Sequence, residues 1–222
     1  MHKFYLSVSA LIVAFCASAF GQVVPFTDPN AYNLAATTDT TITFTGLAPS
    51  GPSPSLTISG VTFTALAPSG NQVEVIVGTN VGQGSNEVLT EQNGAFAMDT
   101  LGLTLPAGVT AVAFNFKPAT NSSLALAEPF KFTVTTASNT MTPFAESSPG
   151  APNGNDFGFV GFVSLSDPIT SITMQVSSVI GVPEIVVDNV MLGTAIPEPA
   201  TLAAGVAAVV GCFLLRRRRA AR

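Results

Sequence analysis

Between Thr41 and Met191 the chain repeats one pattern: apolar side chains at every second position, in short runs closed off by glycine and proline. Ile42 and Phe44 enclose Thr43, Val61 and Phe63 interleave with Thr62 and Thr64, and Val73, Val75 and Val77 are separated by Glu74 and Ile76. A period of two is that of a strand with one face buried, and no long stretch carries a helical period. A chain written this way must build sheets.

The runs can be followed in order. Leu101, Leu103 and Leu105 lead into the turn Pro106 to Thr110, after which Val112, Phe114 and Phe116 alternate with small or polar residues. That succession predicts a hairpin. Further strands are predicted at Phe130 to Val134, Thr140 to Phe144, Phe157 to Ser164, Pro168 to Val176 and Ile185 to Met191. Loops are predicted at Ser50 to Ser55, Ser69 to Gln72, Gly78 to Gly94 and Glu146 to Asp156, where glycine, proline and asparagine gather. Ten to twelve strands over residues 23–193 suit an all-β two-sheet sandwich, of jelly-roll or lectin-like kind, and about 170 residues can bury a substantial core.

Both flanks read differently. Residues 1–21 start basic at Lys3, continue apolar through Leu11, Ile12 and Val13, and reach the small residues Ala17, Ser18 and Ala19. This is the form of a secretory signal peptide. Cys16 does not make it a lipoprotein signal, because Phe15 before it is too bulky for that cleavage. Residues 196–222 read IPEPATLAAGVAAVVGCFLLRRRRAAR. The uncharged run from Ala200 to Leu215 would span roughly 24 Å as a helix, just under a bilayer core of about 30 Å. Arg216, Arg217, Arg218 and Arg219 would hold its far end on the cytoplasmic side, leaving the body outside. Pro197 and Pro199 around Glu198 disfavour helix and predict an extended strip just outside the membrane.

The order of proline-glutamate-proline, short apolar helix and arginine cluster resembles the PEP-CTERM sorting signal of Gram-negative bacterial surface proteins. The resemblance implies an exosortase-like membrane protease as partner and cleavage near Pro197, Glu198 and Pro199. It further implies transient anchoring in the inner membrane, then delivery to the cell surface or matrix, commonly beside exopolysaccharide. It covers about an eighth of the chain.

Composition narrows what the exported body can do. Cys16, Cys212 and His2 are the only cysteines and histidine, and all fall in the flanks. The body therefore has no thiol or imidazole, which excludes Cys-His and Ser-His-Asp catalysis and an ordinary zinc site. No cofactor is expected. Against 12 acidic residues the body carries only Lys117 and Lys131, a formal charge of −10. Binding nucleic acid by neutralising phosphates is excluded on that balance.

Three constellations invite a functional reading. Asp188 and Asn189, with Asp156, Asp167 or Glu184, have oxygen ligands suited to calcium, but the spaced pattern of a calcium loop is missing, which favours polar residues on the exposed face of the last strand or hydrogen-bonded at a sheet edge. Phe114, Phe116, Phe157, Phe159 and Phe162 could stack sugars, yet such sites prefer tryptophan and tyrosine. The body has no tryptophan and only Tyr32, so core packing is expected. Paired carboxylates of a glycoside hydrolase are not singled out anywhere, and no enzyme is expected. The second half of the body also resembles jelly-roll domains common in PEP-CTERM proteins, which are similar to carbohydrate-binding modules. The expectation is a structural or adhesive surface protein; the alternative is a module that binds exopolysaccharide through Gly78 to Gly94 or Glu146 to Asp156.

Overall fold

A computed structural model of the chain describes residues 23–44, 46–67, 72–77, 87–92, 98–120, 130–138, 144–146, 157–177 and 183–196. These form two antiparallel sheets laid face to face. The first contains β1 (Val23–Phe26), β2 (Ala36–Ile42), β5 (Gln72–Val77), β6 (Glu87–Gln92), β8 (Ala111–Thr120), β11 (Gly158–Ser164) and β13 (Pro183–Ala195). Its order is β1-β11-β8-β13-β6-β5, and β2 pairs separately with the second half of β13. The second contains β3 (Ser55–Ile58), β4 (Val61–Ala67), β7 (Met98–Thr104), β9 (Phe130–Thr136), β10 (Phe144–Glu146) and β12 (Ile169–Ser177), in the order β10-β9-β12-β7-β4-β3. The all-β two-sheet sandwich expected from alternation is present.

Alternation decides which side chains meet between the layers. Phe114, Phe116 and Phe162 from the seven-stranded sheet face Phe130, Phe132 and Phe144 from the six-stranded one. Phe116 lies edge-on to Phe130 at 4.8 Å and to Phe132 at 5.2 Å, and Phe132 lies 5.8 Å from Phe162. Burial of such a ring stabilises by about 1.5–3 kcal/mol, and each edge-to-face pair adds about 0.5–1.5 kcal/mol. Leu101, Leu103, Ile172, Met174, Ile185 and Val187 complete the layer, all fully buried.

Two local expectations are corrected. Leu101 to Leu105 and Val112 to Phe116 do not form a hairpin, because β7 pairs with β4 and β12 while β8 pairs with β11 and β13. The connection between them crosses from one sheet to the other, and distant partners take its backbone groups. Val109 O accepts from Ile169 N at 2.8 Å, Thr110 O from Ser164 N at 2.8 Å, and Thr110 N donates to Gly193 O at 3.1 Å. Nor is Gly78 to Gly94 loop throughout: Glu87–Gln92 is a strand, paired with β5 on one edge and β13 on the other. Its own residues, Glu87 to Gln92, are mostly polar, so local composition misreported a strand that pairing with the neighbouring β5 and the distant β13 fixes. Residues 147–156 lie outside the described residues.

One helix interrupts the sheets, and the alternation gave no sign of it. α1 (Pro29–Ala35) is capped by Asp28, whose carboxylate accepts from Asn30 N at 2.9 Å, and begins with Pro29. Acidic N-cap followed by proline is a strong local start signal. At the other extreme of local control, Ser59 and Gly60, both at positive φ, close β3 onto β4 as a two-residue hairpin turn.

The register also gives the sandwich two distinct ends. Val23 pairs with Ser164, Val163 with Ala111, Ala111 with Gly193, and Ala195 with Ala36. The described chain therefore enters and leaves at one end, where Ile196 N donates to Ala35 O at 2.8 Å. Strand ends flanking residues 93–97, 121–129 and 178–182 lie at the other. Among the described residues no helix is long and apolar enough to cross a membrane. The apolar run 200–215, Pro197, Glu198, Pro199, Arg216, Arg217, Arg218 and Arg219 lie outside the described residues, as does the region 1–21.

Candidate functional site

The two sheets turn very different outer faces away from the shared core. On the seven-stranded sheet the outward positions near the chain's exit are small: Ala111, Ala113 and Gly161. Small outward residues let another element sit close, and α1 does so through Tyr32. The ring is fully buried, edge-on to Phe26 at 6.1 Å and to Phe159 at 5.8 Å. A Cβ at position 161 would stand 2.5 Å from Tyr32 Cδ2, so only glycine fits there. The Tyr32 hydroxyl is buried without a hydrogen-bond partner. Burial first, and the Asp39 carboxylate second, raise its pKa far above the usual phenol value.

Further along the same face a charged cluster is also withdrawn from water. Lys117 is 1% exposed, with its ammonium 4.9 Å from the centre of the Phe157 ring, a cation-π contact. It pairs directly with Val186, so it stands between the outward positions of Glu184 and Asp188 on β13. β13 bulges after Asp188: Asp188 pairs with Asn115 and Met191 with Ala113, while Asn189 takes a positive φ of 51°. Asparagine tolerates that conformation well. Asp188 accepts from Asn189 N at 2.7 Å and from Asn189 Nδ2 at 3.2 Å. Burial raises its pKa, and the Asn189 backbone donor offsets part of that.

This geometry settles where the calcium candidates stand. Asp188, expected on an exposed face or at a sheet edge, is instead 6% exposed on the interior strand β13, whereas Asp167 is at the end where the chain enters, accepting from the Ser138 hydroxyl. Asp156 lies outside the described residues. Among the described residues no three His, Cys, Asp or Glu side chains gather as a metal would need. The five phenylalanines divide as well: Phe114, Phe116 and Phe162 are core, while Phe157 and Phe159 lie on the outer face under Lys117 and beside Tyr32.

The outer face of the six-stranded sheet is built in another way and stays open to water. Its register sets hydroxyl side chains in rows across five strands. Thr57, Thr62, Thr104, Ser171 and Thr135 form one row. Ser55, Thr64, Gly102, Thr173 and Thr133 form the next, and on three of the strands Thr100, buried at 7% exposure, Gln175 and Lys131 form a third. The Thr57 and Thr62 hydroxyls bond to each other at 2.9 Å. Lys131 is the only charged side chain in these rows. Strands about 4.8 Å apart and outward residues about 6.7 Å apart along a strand give a patch of about 19 by 13 Å.

One apolar group interrupts it. β4 bulges between Ala65 and Ala67, and the extra residue, Leu66, is 50% exposed. Its side chain lies across Gly102, where an added Cβ would come within 2.8 Å of Leu66 Cδ1. A surface lined by hydroxyls with a single exposed leucine, Leu66, can exchange hydrogen bonds with a neutral hydroxylated polymer.

No family model and no curated protein matches the chain. Among solved structures it is similar to the CBM22-1 xylan-binding domain of Xyn10C from Paenibacillus barcinonensis, with 17% identity and a TM-score of 0.41, covering 73% of this chain and 98% of that one. It is also similar to the C-terminal family 22 carbohydrate-binding module of Clostridium thermocellum Xyn10B, at 15% identity and a TM-score of 0.41, over 78% and 100% of the two chains. The K1 cleaved adhesin domain of Lys-gingipain from Porphyromonas gingivalis gives 12% and 0.43 over 78% and 99%. At these scores no ligand is carried from those proteins to this chain.

Alternation in the sequence located the inward positions Val61, Phe63, Leu101, Leu103, Phe130, Phe132, Val134, Ile172, Met174 and Val176 of the six-stranded sheet, and missed strand β3, whose Ser55 falls in a stretch expected as loop. It did not distinguish the open face from the covered one. The signal for that was present as side-chain size: alanine and glycine outward beneath α1, threonine and serine outward where nothing sits.

Proposed function

We propose that this is an exported surface or matrix protein whose sandwich binds neutral polysaccharide through the open face of the six-stranded sheet. One observation carries the reading: the outward rows of that sheet hold ten threonine and serine side chains, of which only Thr100 is buried, and one charge. Such a face is soluble without repelling an uncharged glycan. It favours the carbohydrate-binding alternative over a purely structural role, and moves its expected site from the loops to a sheet.

The sheet edges are consistent with adhesion by a face. Pro25 stands in edge strand β1, where it removes a backbone donor. The outer edge of β5 is covered by residues 50–53, through Ser53 N to Val73 O at 3.0 Å and Ser50 N to Val75 O at 3.2 Å. β2 carries a bulge at Asp39, between Thr38 paired to Gly193 and Thr40 paired to Leu192. Proline, cover, bulge and charge are the devices that stop edge-to-edge pairing.

Delivery belongs to the flanks in this reading. An N-terminal signal exports the chain, Ala200 to Leu215 anchors it in the inner membrane, and an exosortase-like protease cuts near Pro197, Glu198 and Pro199. Ile196 leaves beside α1 on the seven-stranded sheet, so an anchored tail leaves the open face free. Two measurements test the parts separately. Affinity electrophoresis through gels containing the cells' exopolysaccharide should retard the protein, and unaltered mobility would refute binding. Intact mass of surface-recovered protein should show a chain ending near Pro197 to Thr201; a chain still bearing Arg216 to Arg219 would reduce the tail to an anchor.

A further inference from the structure

We infer that the open face takes neutral polysaccharide as packed, side-by-side chains and discriminates against single soluble chains; this rests on the reading of that face as the glycan-binding site. The face repeats in two directions, about 4.8 Å from strand to strand and about 6.7 Å from row to row. A lone chain lying along one row meets at most the five side chains of the first row, whereas a packed layer meets all three rows together. Each hydroxyl contact replaces one already made with water, so its net worth is small. Affinity must therefore come from many contacts made at once on one rigid ligand.

What the face lacks points the same way. An aromatic ring offers a large rigid apolar face on which a single sugar can stack, and the outward rows contain none. Tyr32 is fully buried beneath Phe26 and Phe159, and Phe114, Phe116, Phe130, Phe132 and Phe162 fill the core. The one large apolar side chain on the face, Leu66, is bulged outward over Gly102 and gives a broad, shallow contact suited to a layer. With Lys131 as the only charge in the rows, binding should not depend on salt.

The test uses the full-length protein in mild detergent. It is mixed with particles of cellulose, of chitin and of the cells' insoluble exopolysaccharide, each with and without its own soluble hexasaccharide fraction. Depletion by at least one particle, less than twofold change between low and high salt, and no competition by the hexasaccharide at equal sugar concentration are expected. The triple variant Thr64→Val, Thr104→Val, Thr173→Val keeps side-chain shape and should lose at least tenfold in affinity with its thermal midpoint unchanged. Binding to none of the three particles overturns the glycan reading itself. Binding with full competition by hexasaccharide overturns the packed-chain inference alone, and binding that the folded triple variant retains overturns the face.

Discussion

The two outer faces start from the same strand pattern and end in opposite states. On the seven-stranded sheet, Ala111, Ala113 and Gly161 leave room, and Tyr32 of α1 fills it. Nearby Lys117, Val186 and Asp188 are also buried. On the six-stranded sheet, Thr62, Thr64, Thr133, Ser171 and Thr173 stand in the same outward register and meet water. A covered outer face behaves energetically as a second small core, and substitutions there act on stability. An open one is nearly free of such constraint, so substitutions there act on recognition.

The largest break in the covered face should come from Tyr32→Ala. It removes a buried ring and should cost about 3–5 kcal/mol, read as a lower denaturation midpoint. Next, Gly161→Val should cost about 1–3 kcal/mol by pressing a side chain against the Tyr32 ring; an unchanged midpoint would show that α1 does not dock there. Tyr32→Phe should do the reverse and stabilise by about 1 kcal/mol, since it removes a buried hydroxyl that has no partner.

Asp188 gives the covered face a pH signature. Its folded pKa is raised above the ordinary 3.8, mainly by burial. The folded state therefore holds this proton more tightly than the unfolded state does. Its contribution is most favourable below pH 3.8 and falls as pH rises through the raised folded value. Asp188→Asn should flatten that part of the stability profile and raise stability at neutral pH. A profile identical to the parent would place the carboxylate in water.

The smallest stability effects belong to the open face. Thr104→Val and Thr173→Val should each stay within about 0.5 kcal/mol. A larger loss would mean that these hydroxyls are part of a packed layer after all, and the contrast between the faces would fail.

Much of the sandwich was legible because alternation is a local property. Val61 and Phe63, Leu101 and Leu103, and Ile172 and Met174 face inward as their spacing predicts. The hairpin expected between Leu105 and Val112 was not, because the partners of that connection, Ile169, Ser164 and Gly193, are more than fifty residues away in sequence. Strand Glu87–Gln92 was missed for another reason: its residues are mostly polar, and its claim to be a strand lies in pairing with the neighbouring β5 and the distant β13. α1 was missed although Asp28 and Pro29 announced it, because seven residues are too few to show a helical period.

By itself the sequence determined that the chain is all-β, that its body carries no thiol or imidazole chemistry, and that its flanks resemble export and sorting signals. Those follow from composition and from spacings of two residues, which no fold can alter. Only the tertiary structure decided which outward residues stay outside. Thr173 and Asp188 are each polar residues in an alternating strand. One meets water, and the other is 6% exposed, because cover is supplied by parts of the chain far from either, and alternation specifies a side of the sheet without specifying what lies on it.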